Sequence, residues 1–154
     1  MSTFDPASFI DLPVDAPFEK RPPLPVGDYV ATIKEITARA WSSNKDPSNP
    51  KSGMAYDVAL TIEVPEATAT LLKLATPTLT LKDSIMLDLT DQGALDTAPG
   101  RNRALRNYRE ALELNKAGET FRASMMAGRL LKVRVSHEIY QDAPVERVSG
   151  VSKI

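Results

Sequence analysis

The 154-residue chain contains no cysteine, so disulfide frameworks and thiolate metal sites or nucleophiles are excluded. It has a single histidine and a single tryptophan, and aromatic residues make up 6% of it. No apolar run approaches the roughly 18 residues that would span a bilayer. The first residues are acidic and proline-rich, without the basic and apolar regions of a secretion signal. The expectation is therefore a cytoplasmic protein that does not engage membranes. Catalytic patterns are also missing. His137 falls at the end of a strand-like run, where a structural or surface role is expected. The serines have no histidine partner nearby in sequence. Asp83, Asp88, Asp91 and Asp96 lack the oxygen-ligand spacing of a calcium loop, and the glycines match no phosphate-cradling motif. No catalytic residue, metal or cofactor is expected, and the chain is read as a binding protein rather than an enzyme.

What is present suits one domain with a real core: 42% apolar and 25% charged residues at a length too short for two domains. The net charge of −1 conceals a separation. Residues 1–26 carry four acids against two bases, whereas residues 99–134 carry nine bases against three acids. Such a separation can present a local positive field to a polyanion. Residues 1–26 also hold six of the twelve prolines, which rule out a regular helix or a central strand. Phe4, Phe9, Ile10, Leu12 and Phe18 interrupt these prolines, which predicts an extended arm docked either on its own domain or on a neighbouring subunit.

The domain proper is expected over residues 27–154. Asp28–Ile36 reads as a first strand, followed by a long polar loop over 37–54. A second strand alternates Tyr56, Val58, Leu60, Ile62 and Val64 with Asp57, Ala59, Thr61 and Glu63, the period of a half-buried sheet. Residues 66–75 suggest a short helix. A third strand places Leu79, Leu81, Ile85, Leu87 and Leu89 on one face. Arg101–Asn115 has helical spacing, with Leu105, Tyr108 and Leu112 on its apolar stripe. A fourth strand over Leu130–His137, a loop near 141–144 and a fifth strand over Val145–Ser152 complete the chain. Three strands, a helix and two strands make the order of an OB-fold. The expected fold is thus mainly β, a five-stranded Greek-key barrel with its helix between strands three and four, whose open face commonly holds oligonucleotides.

On that frame, Arg39, Trp41, Lys45 and Lys51 belong to the loop between strands one and two. Lys34, Lys82, Lys132, Arg134 and Arg147 point outward and extend a positive track, and Tyr140 offers a second aromatic platform. An indole among cations suits single strands, because every base has a π-face and each stacked base contributes about 1–3 kcal/mol. The competing reading of Trp41 is that it folds back over the barrel.

The chain also resembles a group of bacteriophage early proteins described as single-stranded-DNA-binding. The resemblance lies in Phe4–Pro6, the Pro-x-Gly-x-Tyr of Pro25–Tyr29, Ile85–Thr90 with Gly93–Asp96, and the Gly-Arg-Asn-Arg of Gly100–Arg103 ahead of Leu105 and Arg109–Leu112. Met126–Arg129 before a basic strand completes it. What the resemblance implies is an OB-like barrel coating transient single-stranded DNA during phage replication or recombination in a bacterial host. It further implies a homo-oligomer working beside replication or recombination proteins, with binding at Arg39, Trp41 and Lys132–Arg134. The chain departs from cellular single-strand binders in ending Ser149–Ile154 without an acidic tail. The rival expectation is a structural phage protein, a head-decoration or assembly factor, that grips neighbours with its barrel and arm.

Overall fold

Seventeen residues, Gly27–Ser43, form one long strand, β1, in the computed structural model, which describes residues 5–154. β1 pairs antiparallel with β2 (Lys51–Glu63) and, over Gly27–Thr32, with β4 (Leu130–Tyr140). β3 (Thr78–Met86) lies outside β2, and β5 (Ala143–Ser152) lies outside β4. The result is one five-stranded antiparallel sheet of order β3-β2-β1-β4-β5. Among the described residues three short helices accompany it: α1 (Pro6–Phe9), α2 (Glu66–Leu71) and α3 (Arg103–Ala111), with a 3₁₀ turn at Ala123–Met126. The protein is mainly β, as expected, and α3 falls between the third and fourth strands. The sheet, however, is open rather than closed into a barrel. Cα atoms of β3 and β5 come within 8 Å of each other, but among the described residues no ladder joins these strands. No helix of the described residues is long and apolar enough to cross a membrane.

Two expected loops are replaced by strand. The polar stretch 37–54 continues the β1–β2 ladder as far as Ser43 opposite Lys51, leaving only residues 44–50 as a turn. The strong turn formers gather in that tip. Asp46 accepts from the Ser48 amide and hydroxyl at 3.1 and 2.6 Å, and its carbonyl accepts from the Asn49 amide at 2.9 Å. The loop expected near 141–144 shrinks to Gln141 and Asp142, both left-handed at φ 51° and 63°. Such a pair matches the twist of a two-residue hairpin. The third strand stops at Met86, so Leu87 and Leu89 lie beyond it, and Leu89 bridges Leu95 instead.

A bulge governs which side chains reach the core. The β1–β2 register runs Ile33 opposite Leu60 and then Glu35 opposite Ala59, so Lys34 is an extra residue in β1. Without it, strict alternation would turn Ile36 away from Ala31 and Ile33. With it, Ala31, Ile33 and Ile36 share the inner face with Val58, Leu60 and Ile62. Ile85, Leu131, Val133 and Val135 complete this layer, and Leu105, Tyr108 and Ala111 of α3 pack into the same core.

Asp83 occupies the inward row of β3 between Leu81 and Ile85, where its carboxylate accepts the Tyr108 hydroxyl at 2.6 Å. Burial pushes the Asp83 carboxyl up, partly offset by that hydrogen bond and by the Ser84 amide. Burial and the Asp83 charge also push the Tyr108 hydroxyl up. A second link joins the two motifs flanking the loop after β3. Asn102, buried and left-handed at φ 50°, donates its amide to the carbonyls of Asp88 and Asp96, both at 2.9 Å. Its side-chain oxygen accepts the Asp88 amide at 2.8 Å, and its backbone N–H donates to the Asp88 carboxylate at 2.8 Å. Every polar group of the Asn102 side chain is thus used, which satisfies a loop that would otherwise bury orphaned backbone. Among the described residues no group of three or more histidines or carboxylates is placed to share a metal ion.

The arm differs from expectation. Proline does not bar a helical turn at Pro6–Phe9, because it occupies the first position and Asp5 caps the turn at 3.1 Å. The docking predicted for its aromatics does not occur on its own domain: Phe9 is 55%, Ile10 86% and Phe18 93% exposed. Phe4 lies outside the described residues. The arm is held instead at its base. Leu24 is fully buried, and its carbonyl meets His137 Nε2 at 2.7 Å. Glu146 accepts the Leu24 amide at 3.2 Å and pairs with Arg21. His137 thus helps to anchor the base of the arm.

Two consequences can be measured. Burial pushes the Glu146 carboxyl up, but the hydrogen bond and charge of Arg21, with the Leu24 amide, outweigh it and hold the group below its ordinary value. A lowered folded pKa gives stability that is present above the ordinary carboxylate range and is lost as pH falls through the folded value. Exchange protection of the Leu24 amide should therefore weaken on acidification, and Glu146→Ala should abolish that pH dependence. Asp83 has the opposite sign: its raised value makes the ionised form costly as pH rises above the ordinary carboxylate range. Urea unfolding should show Asp83→Asn gaining stability relative to the parent from pH 4 to pH 7; a constant difference would contradict the burial of a carboxylate there.

Candidate nucleic-acid interface

The bulge at Lys34 also decides the outward face. Beyond it, Glu35, Thr37, Arg39, Trp41 and Ser43 project away from the core, opposite Ala59, Asp57, Ala55, Gly53 and Lys51 of β2. β3 adds Thr80, Lys82, Ser84 and Met86 to this face. Arg39 and Trp41 were expected in a loop and instead sit on a paired ribbon that runs out to the tip carrying Lys45. Lys51 faces Ser43 at the base of that tip, and Lys82 lies beside Ala59. A shallow depression of about 140 Å³ lies among Glu35, Thr37, Asp57, Ala59 and Lys82.

The remaining predicted residues lie on the other half of the sheet. Lys132 and Arg134 stand opposite Val30 and Asp28 of β1, and Arg147 stands opposite Ser136. Tyr140 ends β4 at the far hairpin, 61% exposed. Sheet order places β1 between the two groups, so they share one continuous outward face.

The positive track is more nearly neutral than its sequence suggested. Arg39 donates to both oxygens of Asp57, at 2.8 and 3.3 Å, and Ser84 donates to the same carboxylate at 2.8 Å. Those hydrogen bonds hold the Asp57 carboxyl below its ordinary value and raise Arg39. Arg134 pairs with Asp28 at 3.5 Å and Arg147 with Glu138 at 3.3 Å. All three arginines of the track thus have a carboxylate beside them. Lys34, Lys45, Lys51, Lys82 and Lys132 have no ion-pair partner among the described residues.

Trp41 meets Gly53 directly across the ribbon. A Cβ built on Gly53 would fall 2.9–3.0 Å from three atoms of the indole, so the ring lies across the glycine backbone. Its N–H is buried and has no acceptor among the described residues. One face of the indole is therefore committed to the ribbon, and the residue as a whole is half-buried. Sequence alternation had already put Asp57 on the wet face, and strand pairing sets Ser84 beside it. The bonds that Arg39 and Ser84 make to Asp57, and the glycine beneath Trp41, depend on strand register, which alternation does not encode.

No protein-family model matches the chain, and no curated protein matches it. The functional reading therefore rests on this outward face.

The contact between Trp41 and Gly53 is testable because the chain has one tryptophan. Gly53→Ala should displace the ring without unfolding the sheet, since the nearest atoms belong to the far end of a side chain. Fluorescence should shift to the red and become more accessible to iodide. An unchanged spectrum would mean that the ring does not rest on residue 53.

Proposed function

We propose that the protein is a non-catalytic, largely sequence-independent single-stranded DNA-binding protein of the OB type, acting in bacteriophage replication or recombination. The single observation that carries this reading is the outward face of β1–β2–β3. It has a projecting ribbon, one half-buried indole and lysines that make no ion pair among the described residues. The strand order supports it as well. Bringing β3 against β5 would complete a five-stranded barrel with α3 between β3 and β4, the arrangement in which the strand 2–3 face and neighbouring hairpins hold oligonucleotides. The resemblance of the sequence to phage single-strand binders points the same way. Lysine ammoniums supply sequence-independent phosphate contacts, and the open face of Trp41 supplies stacking.

A second reading, a structural assembly protein of a phage, is favoured by a specific observation. The arginines of the track are already paired, while apolar residues of the arm are exposed on the protein's own surface. The two readings separate by experiment. On the first, polythymidine quenches the tryptophan, and affinity falls with salt at a log–log slope of about −0.7 per phosphate neutralised. Lys82→Glu and Lys132→Glu should each weaken binding and flatten that slope, and Trp41→Ala should weaken it by the equivalent of about 1–3 kcal/mol. On the second, none of these variants changes anything, because the parent leaves polythymidine unbound.

A further inference from the structure

The residues Asp5–Glu19 hold four acids and no base, with Phe9, Ile10, Leu12, Val14 and Phe18 between them. All five apolar side chains are more than half exposed. A segment that only needed solubility would not carry them, and a segment that packed on its own domain would bury them. The opposite composition appears elsewhere in the molecule. The loop 95–102, the first two turns of α3 and Phe121 surround a cleft of about 230 Å³. Leu95, Pro99, Leu105 and Phe121 give it an apolar lining, and Arg101 and Arg106 stand at its margin.

The cleft is built rather than accidental. Asn102 locks its loop to Asp88 through three hydrogen bonds and donates a fourth to the Asp96 carbonyl. Phe121 is held under the Arg109 guanidinium, 4.3 Å from the ring centre, while Arg109 donates to the Leu114 carbonyl at 3.1 Å. The marginal arginines are weakly committed. Arg101 is 3.6 Å from Asp96 and Arg106 is 3.8 Å from Glu110, and both side chains are about half exposed. Long, exposed pairs of this kind contribute little, so both guanidiniums can turn to a new carboxylate at small cost.

We propose that this cleft is the docking site for the acidic, aromatic arm of a second copy of the chain. An apolar side chain of the arm, Phe9 or Phe18, enters the cleft, and neighbouring carboxylates such as Asp11 or Asp15 meet Arg101 and Arg106. Charge complementarity selects this occupant: the arm is the one long stretch of the chain that combines exposed aromatics with uncompensated acids. The arm's base is fixed by the buried Leu24 and by Glu146, so each copy would offer one arm and one cleft. Association of this head-to-tail kind extends or closes into a ring according to geometry. The inference is independent of the DNA-binding reading, because the cleft lies apart from the β1–β2–β3 face.

The absence of cysteine makes the test clean. Full-length Ser8→Cys chains, which keep both phenylalanines, and full-length Ala98→Cys chains, one carrying a size tag, are mixed under mild oxidation. The expected result is a mixed disulfide dimer exceeding both homodimers, reduced at least fivefold by Arg101→Glu with Arg106→Glu in the Ala98→Cys chain. Adding Asp11→Lys and Asp15→Lys to the other chain should restore it. Mixed dimer no more abundant than random pairing, or insensitive to charge reversal, overturns the proposal. So does a chain carrying both cysteines that closes on itself without forming dimers, which would place the arm in its own cleft. A parent chain of monomeric mass at all concentrations up to 100 μM would overturn it too.

Discussion

The extra residue in β1 is the constraint on which the rest of the structure depends. β1 is the only strand that pairs with both halves of the sheet, β2–β3 on one side and β4–β5 on the other. Gly27–Thr32 pair with β4 and Ala31–Ser43 pair with β2, so one strand must set its inward row for both halves. Before Lys34 the inward set is Tyr29 and Ala31, in register with Val133 and Leu131, and Ile33, in register with Leu60. After it the inward row resumes at Ile36, in register with Val58. The same shift sends Arg39 and Trp41 outward. Core packing and the composition of the candidate interface are thus two results of one local irregularity.

A second dependence ties α3 to the sheet. The core gains Leu105, Tyr108 and Ala111 only if the loop after β3 delivers the helix at the right place. Asn102 does this by closing on Asp88, and Tyr108 adds a polar contact to Asp83 in the middle of an apolar layer. A buried carboxylate is expensive unless bonded, so this contact constrains how the helix can sit. Elements that look like function in the sequence, such as clustered aspartates and a Gly-Arg-Asn-Arg phrase, serve here to position a helix.

Much of this was legible in the sequence, and the limits have physical causes. The alternation of Tyr56–Ile62 and Leu131–Val135 identified strands because one face is buried and the other wet. The stripe of Leu105, Tyr108 and Leu112 identified α3 for the corresponding helical reason. The ribbon was missed because Thr37–Ser43 and Lys51–Met54 lack that contrast: a strand whose two faces are both largely exposed shows no hydrophobic period. The one-turn α1 was missed because proline was weighed as a breaker rather than as a first-turn residue. For the interface, the lysines and Trp41 could be named, but the partners of Arg39, Arg134 and Arg147 arise from pairing between distant strands. Side-chain type announces a charge; only register says whether it has already been neutralised.

An open sheet leaves two unpaired strand edges, and such edges invite sheet growth from one molecule to the next. Here they face each other across a groove of about 600 Å³ lined by Lys20–Pro23, Thr80–Lys82 and Ala143–Val148. The segment laid along that seam contains Pro22 and Pro23, with Pro25 just beyond, and β5 carries Pro144 at its own margin. Residues without an N–H can cover a strand edge, yet they cannot form a complete ladder with it. The seam is therefore screened by a segment that is chemically unable to become a sixth strand. Polymerisation through these edges is discouraged at the place where the sheet is incomplete.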